Sequence, residues 1–155
     1  MIAFTGSRSE VPIALNHALS QISKYDKVVV GCARGVDKEV REYIPWAKIF
    51  NKNTYGKGKG ALARRSMAMC DHTYSEGGSL WAFPSRDCPS SVPVSKRAFN
   101  GSGSGTWATV AYALWLGMPV RLYYHKCPSQ FERFLKPVSL GVFEYFPEGE
   151  QLSLF

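Results

Sequence analysis

Residues 28–40 read VVVGCARGVDKEV and combine a strand, a glycine-bracketed turn and the start of a helix. Three successive β-branched valines favour a buried strand, and the charged run from Val36 is typical of a helix. Gly31 and Gly35 lie on either side of the turn, where their backbone freedom allows a sharp change of direction. Asp37 stands at the start of the helix, where a carboxylate interacts favourably with free backbone amides. A strand that leaves through a short glycine turn into a helix is the repeating unit of a parallel α/β sheet.

The same alternation of strand and helix continues along the chain with short links. Strands are predicted at residues 1–4, 27–33, 47–51, 79–84 and 119–125, and helices at residues 11–22, 36–44, within 55–71 and at 108–117. We therefore expect an α/β fold with a mainly parallel sheet of about five or more strands and helices on both faces. Residues 85–101 contain two prolines and several serines, interrupt the alternation and predict a long loop over a ligand crevice.

The amino-acid composition indicates which kinds of ligand and partner the protein can be expected to bind. The chain has 155 residues, which suits one domain, and its 19 Lys and Arg against 12 Asp and Glu give a net charge of +7. A positive charge favours anionic partners such as phosphates, nucleotides or nucleic acid. The four cysteines show neither CxxC spacing nor a His/Cys cluster, so no metal and no cofactor is predicted. The chain lacks a membrane-length apolar run and a signal-like N-terminus, so we expect a cytoplasmic protein without a membrane partner.

Four glycine-containing segments lie where predicted strands lead into helices: TGSRS (5–9), GCARGVD (31–37), GKGKGALARRSMAM (56–69) and GSGSGTWATV (101–110). Ligands of open parallel sheets bind beyond the carboxyl ends of the strands, so these segments should converge on one crevice. Glycine turns, helix N-termini and arginines together favour phosphate. The candidate ligand-binding residues are Gly6, Ser7, Arg8, Gly31, Arg34, Gly35, Asp37, Arg64, Arg65, Gly103, Ser104, Gly105 and Thr106.

The sequence leaves two roles open for Arg34 and argues against two classes of nucleotide-binding enzyme. Arg34 could face the crevice or form an ion pair with Asp37, and the sequence leaves both open. The segment 101–110 lacks the lysine of a P-loop, which argues against a Walker-type NTPase. It also lacks the GxGxxG pattern with a following acidic residue, which argues against an NAD dehydrogenase.

In order and spacing, these four segments resemble the SLOG superfamily. That superfamily links the Rossmann-like domain of DNA-processing protein A (Smf), the lonely-guy cytokinin-activating phosphoribohydrolases and small proteins of the YspA type. The resemblance covers about residues 2–124 and is closest to the YspA type. It implies a Rossmann-like fold over residues 1–146 that binds a nucleotide or single-stranded nucleic acid at the glycine loops, which then act as phosphate-binding loops.

The lonely-guy enzymes resemble the patterns PGGxGTxxE and RKxxM, and here the chain departs from them. Thr109 stands at the place of the catalytic glutamate, and Ser66 follows Arg65 where those enzymes have lysine. Catalytic residues are therefore unassigned, and a binding protein is favoured over an enzyme. The alternative is a hydrolase of nucleotide N-glycosidic bonds in which Asp71 or Glu76 supplies the carboxylate.

The last five residues, QLSLF (151–155), are similar to the QLxLF peptide that docks on the bacterial β sliding clamp. In that interpretation Leu154 and Phe155 are apolar anchors, Gln151 makes a polar contact at the pocket rim, and Leu152 is a further residue of the clamp-binding peptide. Residues 147–155 are therefore predicted to be a tail that recruits the protein to DNA replication, repair or recombination. The alternatives are a C-terminal strand folded onto the core and a clamp-binding factor whose crevice is vestigial. The sequence leaves homo-oligomerisation open.

Overall fold

The computed structural model, which describes residues 1–58 and 60–147, places the three valines in a buried strand inside a seven-stranded sheet. In chain order the elements are β1 (Ile2–Gly6), α1 (Ala14–Ser20), β2 (Val28–Gly31), α2 (Val36–Tyr43), β3 (Lys48–Phe50), a 3-10 helix (Lys52–Tyr55), α3 (Gly60–Ser75), β4 (Ser79–Phe83), α4 (Gly105–Leu116), β5 (Val120–Tyr123), a second 3-10 helix (Ser129–Phe131), β6 (Lys136–Ser139) and β7 (Val142–Tyr145). The chain is therefore α/β, as its alternating pattern predicts.

The sheet is mixed, with the strand order β3-β2-β1-β4-β5-β7-β6. Strands β1 to β5 are parallel to one another, and the β6–β7 hairpin adds two antiparallel strands beside β5. The expectation of a mainly parallel sheet holds for the first five strands. The hairpin is not predicted from the sequence, because every residue of β6 is exposed and the strand carries no alternation of apolar and polar side chains.

Side chains alternate across the sheet, and each face packs on a different pair of helices. Phe4 and Val30 pack in one core with residues of α1 and α2, while Ala3 and Leu80 pack in the other with residues of α3 and α4. Helices thus cover both faces, as predicted. The connections that follow β1 and β2 run along one face, and those that follow β3 and β4 run along the other. A gap between these connections opens where β1 lies beside β4.

Helix α1 is shorter than the 11–22 prediction. The amides of Leu15 and Asn16 donate to Pro12 and Ile13 through i→i+3 bonds, so the segment before α1 is a turn. The side chain of Ile13 is 89% exposed and does not belong to the core face that the sequence pattern suggests. The proline at the segment's start fixes this turn geometry, and the helix begins after it.

Helix α4 is buried from Trp107 through Leu114. The sheet and α3 cover one side, and apolar residues of the loops around it, including Val92, Ala98 and Phe131, cover the other. Residues 85–101 contain neither helix nor strand, as predicted, and their packing on α4 fixes the loop beside the end of β4.

Candidate functional site

A crevice of about 700 Å³ opens at the carboxyl ends of the strands, where β1 and β4 are neighbours. Its walls come from the exits of β1, β2 and β4, the first turns of α3 and α4, and the loop 99–104. The predicted residues that line it are Gly6, Ser7, Arg8, Arg34, Asp37, Arg65, Gly103, Ser104, Gly105 and Thr106. Segments far apart in the sequence therefore meet at one site, because the ends of parallel strands lie on one edge of the sheet.

An ion pair between Arg65 and Asp37 forms part of the wall. Arg65 Nη1 donates to Asp37 Oδ2 at 3.2 Å, and the two side chains are only 9% and 6% exposed. Burial raises the pKa of the Asp37 carboxyl, and the adjacent Arg65 charge and the Ala33 amide offset part of that effect. Arg65 Nε is buried and has no hydrogen-bond acceptor among the described residues. The part of the guanidinium that lines the crevice remains open to an oxyanion.

Asp37 and Arg34 take roles other than the simplest ones the sequence suggests. Asp37 does not cap α2, because its Oδ2 accepts from the amide of Ala33, which precedes the helix, and from Arg65. Arg34 is exposed on the crevice wall, so of the two alternatives it takes the first and does not pair with Asp37. The carboxylate of Asp37 instead fixes the β2 turn to α3.

Gly31 and Gly35 shape the site from behind and do not line it. A Cβ atom at Gly31 would overlap the guanidinium of Arg65, so only glycine leaves room for the ion pair. Gly35 has φ +73°, and a Cβ there would overlap the carbonyl oxygen of Ser7. That carbonyl accepts a hydrogen bond from the amide of Val36 at 2.9 Å, which joins the β1 and β2 exits.

The hydroxyl of Ser7 organises the loop after β1. Its Oγ accepts from the amides of Ser9 and Glu10, each at 3.2 Å, and from the hydroxyl of Ser85 at 2.8 Å. Ser7 therefore orders the crevice wall through bonds within the protein.

Arg64 is a correction to the predicted site. Its Nε donates to the carbonyl of Tyr55 at 2.7 Å and its Nη2 to the carbonyl of Lys57 at 3.4 Å. It does not line the crevice. Successive residues of a helix point about 100° apart, and the direction of Arg64 leads to the carbonyl groups before α3 and not to the crevice.

The N-terminus of α4 faces the crevice with backbone donors. Ser104 Oγ accepts from the amide of Trp107 at 3.4 Å, and helix geometry leaves the amides of Gly105 and Thr106 without partners inside the helix. Gly103 has φ +93°, a left-handed conformation that glycine adopts without strain. Such a terminus favours an anion.

The loop 85–101 adds two residues that the sequence analysis does not single out as site residues. Arg86 is exposed on the crevice and Phe99 lines it. The indole Nε1 of Trp107 donates to the carbonyl of Arg86 at 2.8 Å and so fixes the start of the loop. A long-range contact of this kind leaves no sequence pattern, although the sequence does predict that this loop lies over the crevice.

The carboxylates considered for hydrolysis are not in the crevice. Neither Asp71 nor Glu76 lines it, and Asp71 accepts a hydrogen bond from the hydroxyl of Tyr112 at 2.7 Å in the contact between α3 and α4. Thr109 does line it, but its hydroxyl donates to the carbonyl of Gly105 at 2.7 Å within the helix. Among the described residues, Asp37 is the one carboxylate in the crevice wall.

Within residues 1–58 and 60–147, no group of three or more His, Cys, Asp or Glu side chains could hold a metal ion. In the same residues no helix combines the length and apolar character needed to cross a membrane. The predicted docking residues Gln151, Leu152, Leu154 and Phe155 lie outside the described part of the chain.

Comparisons of the chain with protein-family models, with curated proteins and with solved structures find no match. The SLOG resemblance thus rests on the motifs of the sequence and stays a prediction.

Proposed function

We propose that this chain is a nucleotide-binding or single-stranded nucleic-acid-binding protein of the SLOG type, with a Rossmann-like fold, and that it holds a phosphate group in the crevice. The observation that carries the proposal is the guanidinium of Arg65, which lines the crevice with Asp37 as its one anionic partner among the described residues. A phosphate oxygen in the crevice would be a second charge-assisted acceptor for that guanidinium.

The surroundings of Arg65 supply what a phosphate needs. The first amides of α4 are oriented towards the same crevice, and Arg8, Arg34 and Arg86 line it as exposed cations. Four arginines face a single carboxylate, Asp37, in the described wall, so the site attracts anions over a distance as well as on contact.

The crevice supports binding better than hydrolysis of an N-glycosidic bond. Such hydrolysis needs a carboxylate that can exchange protons with the substrate or a water molecule. Asp37 is engaged by Arg65 and the Ala33 amide, and Thr109 is no substitute because its hydroxyl is not basic near neutral pH.

The test replaces Arg65 with lysine. Arg65→Lys keeps a positive charge near Asp37 but removes the planar fork that binds phosphate through two hydrogen bonds. We expect the affinity for a 5′-phosphorylated nucleotide or a short single strand to fall about ten- to hundredfold, as for the loss of a hydrogen bond to a charged group. Isothermal titration calorimetry measures it.

Arg133→Lys is the matched control, because Arg133 is exposed and does not line the crevice. It should bind as the unmodified protein does. If Arg65→Lys, shown to be folded by circular dichroism, retains full affinity, the phosphate is not held by Arg65. If no phosphate-bearing probe binds the unmodified protein, the proposed function is wrong.

We further propose that residues 151–155 dock on a bacterial β sliding clamp. The support is the QLSLF sequence together with the direction of the last described strand, in which Tyr145 pairs with Val120 at the amino end of β5. Strand β7 therefore ends at the edge of the sheet opposite the crevice. Clamp binding by the full chain should be lost in a chain that ends at Gly149. Equal binding by the two would refute the docking role.

A further inference from the structure

A second cavity, of about 790 Å³, lies on the side of the sheet that α1 and α2 cover. Its floor is β5, one wall is α1, and the opposite wall is the β6–β7 hairpin. We call it the α1–hairpin cavity. It exists because the hairpin extends the sheet beyond the helices of this face, whose core residues end at Tyr123 of β5.

The α1–hairpin cavity adjoins the crevice. Pro84 and Ser85, at the exit of β4, line both. The hydroxyl of Ser85 donates to Ser7, which holds the shared turn in place. The loop after β1 also lies between the two spaces, with Ser9 lining the crevice and Glu10 lining the cavity.

The two spaces differ in charge. The crevice has four arginines and one carboxylate in its described wall. The cavity has one arginine, Arg121, and two carboxylates, Glu10 and Glu144. Arg121 Nε donates to Glu144 Oε2 at 2.7 Å, and its guanidinium stacks over the ring of Trp81 at 4.7 Å. The arginine is therefore neutralised by its neighbour, and the cavity offers no net attraction to a second phosphate.

The cavity instead offers donors and acceptors on a partly apolar wall. His17 lies on α1 and Gln21 directly follows its last residue; their side-chain nitrogens are 3.2 Å from each other, and both residues line the cavity. Val142 and Pro12 contribute apolar surface. A neutral heterocycle with mixed donor and acceptor edges matches this wall, and in a nucleotide such a heterocycle, the nucleobase, is carried by the sugar that bears the phosphate.

We propose that the α1–hairpin cavity binds the second base of a dinucleotide unit whose phosphate is held in the crevice. This rests on the proposed function for the position of the phosphate, and it adds the size of the ligand and a separate site for its second base. The unit can be a free dinucleotide or two neighbouring residues of a single strand.

The test compares four probes by calorimetry on the full chain: inorganic phosphate, a 5′-phosphorylated mononucleotide, the matching dinucleotide and a six-nucleotide strand. We expect the dinucleotide to bind about tenfold or more tightly than the mononucleotide, as for one additional bound base. Equal affinity of dinucleotide and strand identifies a free dinucleotide as the ligand, whereas a tighter strand identifies nucleic acid.

The double variant His17→Ala with Gln21→Ala should bind phosphate and mononucleotide normally and lose the advantage of the dinucleotide. Its matched control is Asn16→Ala with Ser20→Ala, which has the same spacing on α1 but does not line the cavity. An advantage that survives in the first double variant would overturn the proposal, as would equal binding of mono- and dinucleotide. Failure of every phosphate probe would instead refute the proposed function, and this inference with it.

Discussion

Removing the carboxylate of Asp37 should strongly destabilise the fold, because it leaves a buried cation without its partner. In Asp37→Ala the guanidinium of Arg65 loses its acceptor at 3.2 Å and the amide of Ala33 loses one at 3.1 Å. Arg65 cannot become neutral by losing a proton, since an arginine stays charged at any pH that a protein tolerates. The unpaired charge therefore stays buried in the folded variant.

The expected cost is about 3–5 kcal/mol, the range for breaking a buried ion pair by removing one member. A domain of this size has a free energy of unfolding of roughly 5–15 kcal/mol, so a large fraction is lost. At about 2–4 °C per kcal/mol, the melting temperature should fall by roughly 6–20 °C.

Urea unfolding followed by circular dichroism measures the change, and a double-mutant cycle isolates the pair. Asp37→Ala, Arg65→Met and the double variant are compared with the unmodified chain. The double variant should cost clearly less than the sum of the two single variants, because it leaves no unpaired charge. Additive costs would show that the pair is not coupled and would refute this reasoning.

The free energy of unfolding of the single variant Arg65→Met should fall as the pH rises. Without Arg65 the buried Asp37 keeps the effect of burial, which raises the pKa of its carboxyl above the ordinary 3.8, and loses the main offsetting charge. Between the two pKa values the folded state binds more protons than the unfolded state, so stability falls as pH rises through this window and levels off above it. Unfolding measured at several pH values should show this slope, and Asp37→Asn in the same background should remove it.

Three further predictions concern the frame of the site. Gly35→Ala should cost about 1–3 kcal/mol from backbone strain alone at φ +73°, and more from the overlap with Ser7, which thermal unfolding will measure. Trp107→Phe should lose the hydrogen bond to the Arg86 carbonyl, about 1 kcal/mol, and speed proteolytic cleavage within 85–101; an unchanged cleavage rate would contradict the tether. Cys70 is buried, and burial raises the pKa of its thiol, so mass spectrometry should find it unalkylated by iodoacetamide until denaturant is added.

Much of the fold follows from local pattern. The valines of β2, the glycines around the turn and the amphipathic run of α2 each have a local physical meaning, and together they predict the parallel unit. The β6–β7 hairpin does not follow in this way. Residues 136–139 are exposed at the edge of the sheet. Because neither face of this strand is buried, its sequence need not alternate between apolar and polar residues.

The candidate site also combines features that follow from local sequence with features that depend on packing. That glycine loops and arginines follow the strands, and so share one edge of the sheet, could be inferred from the order of residues alone. The orientation of Arg65 into the crevice, the role of Arg64 in holding the loop before α3, and the pairing of Asp37 with Arg65 and not with Arg34 depend on packing. The physical reason is that strand and helix patterns depend on neighbours in the chain, whereas the partner of a buried charge depends on which distant segments packing brings within about 3 Å.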